Sequence, residues 1–447
     1  MLQRGFLLAP PAAALAEAEA QQPASEAHGA CDLTGLPWSS IDNAESRDLD
    51  QIETAEVVSG GVRLRVGIAD VERYVPALGA NDHYAGHNTT TVYTGVRTFP
   101  MLPERLAFDL SSLREGQRRF ALVFDAVVTA SGEVVEGRVY PALVVNRAKL
   151  DYPAVSAWLE GGPLPPGLKD PELKAQVELQ DRTAGKLKEA RRLAGALDLE
   201  TPQMRQGQGR AGSLIEELMI ASNRAAAQAL DALGVASIRR VVKEPERWAK
   251  IAAYAAQRGV ILPAAASPVE LSRFVAAMRQ GRPKEFPEIC LALIKLIGKG
   301  EYAPHRPGEA EIGHFGLAAS QYAHATAPNR RYPDIITQRL LKATRAYAFE
   351  ELAAVARRST RLQAEARKVE RQVQKSAAAL LLRSRVGETF AALVTGAAAK
   401  GTYAQLIEPP VEGRVVRGEK GLQVGDRVRL RLRSVDVEAG FIDLETA

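Results

Sequence analysis

Three aspartates near the start of the chain, Asp42, Asp48 and Asp50, have the type and spacing that most directly suggest chemistry. Asp48 and Asp50 are two apart, so on extended backbone their carboxylates project to one side. Asp42 can fold back to join them through the short polar loop 43–47. Carboxylates gathered without a lysine partner would repel one another, and a hard divalent cation is the natural compensation. One or two Mg²⁺ ions held this way clamp a phosphodiester and lower the pKa of an attacking water. Two other readings stay open at this level. A calcium loop counted from Asp42 puts Glu53 at position twelve, but Ala44 and Ser46 stand at ligand positions and Arg47 where glycine is required. A solvated Asp-rich turn that holds nothing also satisfies the spacing.

The elements that must position these acids read as α+β. From Leu36 to about Val145 the pattern is mainly β, with apolar runs VRLRVGIAD (62–70) and FALVFDAVVTA (120–130). A Ser131-Gly132 turn joins the second run to GEVVEGRVYPALVV as a hairpin. Helices are predicted over 171–199 and over 215–234, the latter closed by Gly234. A third helical region follows Pro333 and runs, with breaks, to about Arg385. Its charged segment RRSTRLQAEARKVERQVQK reads as a solvated face. After Gly387 come five short strand candidates, TFAALV, TYAQLI, EGRVV, DRVRLRLRSV and FIDLE, separated by Gly or Pro turns, which suit a small OB-type barrel. The expected division is an Ala/Glu/Pro-rich segment 1–37 that packs loosely, a mixed α/β catalytic domain 38–386, and a five-stranded barrel 387–447.

The stretch IDNAESRDLDQ (41–51) resembles the first signature of the RNase II/RNase R family, roughly I-D-x-x-x-x-x-D-x-D-D. The resemblance implies that Asp42, Asp48 and Asp50 bind Mg²⁺, or Mn²⁺ in its place, and organise a hydrolytic water. The fourth acid of the signature is Gln51 here, which can offer a carbonyl oxygen to a metal but no charge. GIADVERYV (67–75) is similar to the family's HIADVxxYV strand, with Gly67 in place of His, and VYTGVRTFPMLPERLA (92–107) to its SVYxxxRxxPMLPERLS. Pro100 and Pro103 stiffen a loop that presents Tyr93 and Arg97. By its place in the motif, Tyr93 holds the terminal nucleotide through stacking that tolerates any base.

LIEELMIASNRAAA (214–227) resembles the family's IEExMIxAN helix. Glu216 and Asn223 share a face and Glu217 lies about 100° away; a glutamate there is implied to hydrogen-bond the ribose 2′-OH. YAHATAPNRRYPD (322–334) resembles YxHFTSPIRRYPD, with Ala325, Ala327 and Asn329 as replacements. Arg330 matches the family's active-site arginine, which grips phosphate oxygens; Arg331 and Tyr332 read as anchors, and His324 as a brace. GALDLETPQ (195–203) is similar to a segment that precedes a second stacking aromatic, which MRQGQGR (204–210) does not offer. Residues 387–447 resemble the family's ribosomal-protein-type OB-fold. Tyr403 occupies an aromatic position there, and Arg427, Arg429, Arg431 and Arg433 alternate along one strand face; Tyr403, Arg429 and Arg431 are the expected RNA contacts.

The resemblance therefore implies a hydrolytic 3′→5′ exoribonuclease that degrades single-stranded RNA to nucleoside 5′-monophosphates, with Asp48, Asp50 and Arg330 catalytic. Full-length relatives carry two cold-shock OB-folds in front; the 41 residues before Asp42 are too few for one. Gln51 and the altered 325–329 loop motivate an alternative, an RNA-binding protein on a degraded nuclease scaffold. A metal-dependent DNA exonuclease is a third reading. Composition fits all three. Hydrophobic residues make up 46% and charged residues 25%, which excludes global disorder and a fibrous fold. The net charge of +5 accommodates a polyanion without demanding one. Two distant cysteines, Cys31 and Cys290, offer neither a zinc site nor a disulfide framework, so a reducing cytoplasm is expected. The N-terminus has the outline of a secretory signal, but Pro10-Pro11 interrupt its apolar run and Glu17 and Glu19 follow. A monomer without a membrane span completes the expectation.

Overall fold

A computed structural model describes residues 1–23, 29–199, 209–398, 401–423 and 425–447. The chain divides into two compact units: Phe6–Thr91 with Pro100–Leu362, and Met1–Gly5 with Val92–Phe99 and Gln363–Ala447.

In chain order the first half runs through α1 (Ala12–Ala20), β1 (Cys31–Asp32), β2 (Ser39–Asp42), β3 (Gln51–Val58), β4 (Gly61–Ala69) and α2 (Ala80–Asn88). The short strands β5 (Val92–Tyr93) and β6 (Thr98–Phe99) follow, then β7 (Arg118–Val128), β8 (Val134–Val145), β9 (Ala148–Asp151), α3 (Tyr152–Leu159), α4 (Pro171–Leu193) and α5 (Gly209–Ala232). The second half holds β10 (Ser237–Val241), α6 (Trp248–Ala256), α7 (Pro268–Gly281), α8 (Phe286–Ile297), β11 (Glu301–His305), α9 (Tyr332–Leu341) and α10 (Phe349–Leu382). Strands β12 (Thr389–Ala398), β13 (Gly401–Leu406), β14 (Glu412–Arg417), β15 (Arg427–Asp436) and β16 (Phe441–Thr446) end the chain.

The larger unit is built on a seven-stranded sheet in the order β1-β8-β7-β4-β3-β2-β9. The outer pairs β1–β8 and β2–β9 are parallel and the other neighbours antiparallel. Both faces are covered, which is why β7 carries the continuous apolar run Phe120–Phe124. Leu122 and Phe124 pack with Ile41, Leu64, Val66 and Ile68 against α3, α4 and α5. Ala121 and Val123 point the other way, with Ile52 and Val144, onto Ile335, Ile336 and Leu340 of α9. The predicted hairpin is β7–β8. Its Gly132 has φ +82°, and a Cβ there would lie 2.4 Å from the Lys186 carbonyl oxygen, so no other residue fits.

The N-terminal segment packs more tightly than its composition suggests. Phe6, Ala14 and Ala18 are buried. Glu17 accepts hydrogen bonds from the backbone N–H groups of Ala80 and Asn81, placing a carboxylate at the positive end of α2. Small alanine side chains let α1 come close, and one glutamate fixes it. A separate apolar core gathers α6, α7 and α8 around Ile251, Phe274, Phe286, Ile289 and Leu293.

In the smaller unit, β12–β16 close a five-stranded barrel in the order β12-β13-β14-β16-β15. Phe390, Ala404, Leu406, Val415, Leu430, Leu432 and Leu444 fill it. Strand β15 alternates as its arginines predict, with Arg427, Arg429, Arg431 and Arg433 exposed and Leu430 and Leu432 buried. Among the described residues no helix is long and apolar enough to cross a membrane.

Candidate active site

Strand β2 ends at Asp42 and β3 begins at Gln51, with Ser39 paired to Glu53 across them. The connecting loop is held by residues from outside it. Lys149 Nζ, on the edge strand β9, donates to the carbonyl oxygens of Ala44 (2.7 Å) and Ser46 (2.8 Å). Ser112 Oγ donates to Arg47 O (2.7 Å) and accepts from Leu49 N–H (3.1 Å). Within the loop, Asp42 Oδ1 accepts from Asn43 N–H and Ser46 Oγ, both at 2.7 Å. These bonds fix the three aspartates on a short, ordered stretch.

Asp50 is the most enclosed of them, at 4% exposure. Its Oδ1 accepts from Asn329 N–H at 2.9 Å, and its Oδ2 lies 3.3 Å from Arg330 Nε. Burial raises its pKa to about 8 against the pull of Arg330, and the neighbouring Asp48 charge pushes the same way. Arg330 itself remains 52% exposed on the rim. Gln51 is buried, and its amide Nε2 donates to Ile41 O at 3.1 Å. Tyr152 belongs to the same electrostatic neighbourhood. Burial pushes its phenol up, the charges of Asp42 and Glu53 add to this, and Arg330 opposes them.

Glu53 is the residue that sequence reasoning passed over except as the end of a rejected calcium loop. It is fully buried, and neither carboxylate oxygen has a hydrogen-bond partner. Burial drives its pKa well up, and the Asp42 charge adds to the shift. The available signal was strand alternation, since a glutamate two residues beyond Gln51 must share its face. The donors on this stretch are oxygens alone, and among the described residues no three of these acids bring ligand atoms within 4.8 Å of one another. They fit a hard divalent cation such as Mg²⁺ or Mn²⁺ better than a soft metal.

The segment ahead of α9 carries Arg330, and its hydrogen bonds explain the motif around it. Asp334 is fully buried and accepts from Ala327 N–H (2.8 Å) and from Arg331 Nη2 (2.6 Å). The Arg331 guanidinium thus anchors the loop. His324 is a brace: its Nδ1 meets Tyr302 Oη at 2.9 Å, and burial, with the nearby Arg331, holds its pKa well below the usual range. Asn223 also serves the loop. Its Nδ2 donates to Tyr322 Oη (3.1 Å) and its Oδ1 accepts from Ala325 N–H (2.8 Å). Its amide is engaged inside the protein on both its nitrogen and its oxygen.

On α5 the two glutamates differ. Glu217 is buried and forms a two-pronged pair with Arg191, Oε2 to Nε at 3.0 Å and Oε1 to Nη2 at 2.5 Å. Glu216 projects outward, its pKa raised by its crowded surroundings, a shift that Arg191 opposes. Residues 200–208, with most of the segment where a second stacking aromatic was sought, lie outside the described residues.

In the smaller unit, Tyr93 and Arg97 sit on the β5–β6 hairpin, where Tyr93 pairs with Thr98. The Tyr93 N–H donates to Glu370 Oε1 (3.1 Å), and its ring is 38% exposed. The Arg97 guanidinium lies 5.0 Å above the Phe99 ring. On the barrel, Tyr403 is equally exposed, and Arg431 Nε reaches Glu445 Oε1 at 2.8 Å. Among the described residues Arg429 makes no side-chain hydrogen bond or ion pair.

Known proteins match this arrangement at both ends. Residues 31–346 match the RNB domain, and residues 388–447 the RNase II-type exonuclease C-terminal S1 domain. The ribonuclease R of Aquifex aeolicus is 28% identical over 456 aligned residues, which cover 91% of this chain and 63% of that protein. The chain thus spans less than two thirds of that relative. The solved Mycoplasma genitalium RNase R, in complex with ribose-methylated single-stranded RNA, superposes with a TM-score of 0.85 at 21% identity, over the whole of this chain and 77% of its own. Yeast Ssd1, a pseudonuclease, gives 0.72 at 17% identity, over 92% of this chain and 53% of its own. At such identities the likeness is one of fold.

Proposed function

This chain belongs to the RNase II family through its RNB domain, and on that premise we propose that it is a metal-dependent, hydrolytic 3′→5′ exoribonuclease. Its substrate is single-stranded RNA and its products are nucleoside 5′-monophosphates. The observation that carries the reading is Asp50, buried between Arg330 and the Asn329 N–H on the loop that also carries Asp42 and Asp48. Asp42, Asp48 and Asp50 would hold Mg²⁺, with Gln51 able to add only a carbonyl oxygen. When bound, the ion supplies Lewis acidity toward the phosphodiester and a lowered pKa for water.

The protein's own groups do the rest. The carboxylates orient the attacking water. Arg330, exposed on the rim, offers a guanidinium to the phosphate oxygens as charge develops. Glu216 reads the ribose 2′-OH, since Glu217 is committed to Arg191. Tyr93 stacks on a base, Arg97 contacts the backbone, and Tyr403, Arg429 and Arg431 track single-stranded RNA on the barrel.

One specific observation favours a second reading. Gln51 carries no charge and is bonded to the Ile41 backbone, which suits an RNA-binding protein without catalysis. One assay separates the two. Single-stranded RNA and DNA labelled at the 5′ end are incubated with Mg²⁺ or with EDTA, using the wild type and Asp50→Asn. The exonuclease reading expects a Mg²⁺-dependent ladder of RNA shortened from its 3′ end, lost in the variant. Tight binding with intact RNA would leave the second reading standing.

A further inference from the structure

We infer that Glu53 supplies the negative charge that Gln51 lacks, so that the divalent-cation site of this chain is built from Asp42, Asp48, Asp50 and Glu53. The inference rests on the metal-site reading above and goes beyond it by assigning a residue that lies outside the aspartate signature.

Three observations carry it. First, Gln51 is neutral, and its Nε2 is engaged by the Ile41 carbonyl. Second, β3 is regular here, paired with β4 through Gln51↔Ile68, Ile52↔Gly67 and Glu53↔Val66, and Ile52 faces the α9 side of the sheet. Alternation therefore puts Gln51 and Glu53 together on the opposite face, one strand repeat apart. Third, Glu53 is completely buried, yet both of its oxygens lack a partner.

A buried carboxylate without hydrogen bonds is costly, and native structures keep such groups only where something compensates them. Asp42 is the neighbouring charge that acts on Glu53, and both act on Tyr152 together with Arg330. The orphaned oxygens thus lie in the electrostatic neighbourhood of Asp42, the first aspartate of the signature. Another acid offers them no relief, whereas a cation shared with Asp42 does. The ordinary alternative is a protonated Glu53 that acts as a polar filler under β2.

Mn²⁺ binding to the full chain, without RNA, tests the assignment by titration with detection of free Mn²⁺ by electron paramagnetic resonance. Glu53→Gln keeps the shape and removes the charge. It should weaken Mn²⁺ binding at least tenfold, and adding Gln51→Asp to it should recover most of that loss. Thermal melting in EDTA establishes that each variant is folded. Should Glu53→Gln not fold, Gln51→Asp alone still decides. A site already complete gains less than about threefold in Mn²⁺ affinity, while a site one charge short gains about tenfold or more.

Unchanged Mn²⁺ affinity in folded Glu53→Gln, or a tenfold gain in Gln51→Asp alone, overturns the assignment. Asp42→Asn and Asp48→Asn separate this failure from that of the metal site itself. If they abolish Mn²⁺ binding while Glu53→Gln does not, only Glu53 is wrongly placed. If they too leave binding unchanged, the assignment and the metal-site reading fall together.

Discussion

Two acid clusters in the larger unit look alike in composition and differ in how their charge is met. Asp231, Glu311 and His305 bring one ligand atom each to within 4.8 Å of one another, a tightness found for no other such trio among the described residues. By that measure they form the better metal site. Yet Arg239, at 2% exposure, sits among them. Its Nη2 contacts Asp231 Oδ1 and lies 3.1 Å from Glu311 Oε1. Gln321 Nε2 donates to the remaining oxygen of Asp231 at 2.7 Å. In the Asp42 cluster the arginine that reaches the acids, Arg330, is half in solvent, and both oxygens of Glu53 are left over. Proximity of carboxylates says little about a cation. What is informative is whether the protein has already provided one.

The sharpest test of this contrast is catalytic. Asp50→Asn should lower cleavage of single-stranded RNA by at least about 10³-fold, roughly 4 kcal/mol at the barrier, while Asp231→Asn in the folded protein changes it less than about twofold. Comparable losses in both would erase the distinction. Next in size is stability. Arg239→Met strands two acids beneath the surface and should cost about 3–5 kcal/mol in urea unfolding. Arg330→Met, whose side chain is largely in water, should cost less than about 1 kcal/mol.

A smaller effect concerns ribose recognition. Glu216→Gln should reduce the preference for RNA over DNA by about tenfold, or ~1.4 kcal/mol, without loss of thermal stability. Glu217→Gln breaks the Arg191 pair and should lower the melting temperature instead. A variant pair behaving the other way round would assign the ribose contact to Glu217.

The smallest effect is a pH dependence from two buried histidines, His324 in the brace beside Arg330 and His314, which packs edge-on against the same Tyr322 ring as His324. His314, pushed down to about 4 by burial and by Arg240, and His324, held well below its usual range, stay neutral in the folded protein. Both are depressed, so their contribution is intact above the unfolded value of about 6.5 and is lost as pH falls from there toward 4. Between pH 7 and pH 5 the melting temperature should fall by a few degrees, and by less in His314→Gln. Equal slopes in both proteins would remove His314 from the account.

How much of this was legible in the sequence depended on whether the signal was local. The barrel strands were, because alternation such as Arg429-Leu430-Arg431-Leu432 states a two-residue period outright. The grouping of Asp42, Asp48 and Asp50 on one stretch was also legible, because it is a matter of local spacing, although that spacing alone suits a solvated turn as well. Glu53 was hidden, since QIETAEVV reads as an ordinary strand until its buried face is known. Asn223 is a related case: periodicity places it on the face of Glu216, but only the fold shows that the 322–326 loop occupies its amide. Helices α6–α8 were missed because they are short and punctuated by Pro268 and Pro287, so their apolar faces become visible only when packed together. The arginine inside the second cluster is likewise a tertiary fact, as Asp231 and Arg239 lie far from His305 and Glu311 in sequence.

Lys149 has a consequence of another kind. Because it grips the 43–47 loop by two main-chain carbonyls, the path of that loop does not depend on the side chains of Asn43, Ala44 or Glu45. Those three positions are open to substitution at little penalty, so they can drift or accept a reporter group while the aspartates keep their places. Much of the loop's conformation is thus held from a neighbouring strand, and sequence latitude is left beside the aspartates.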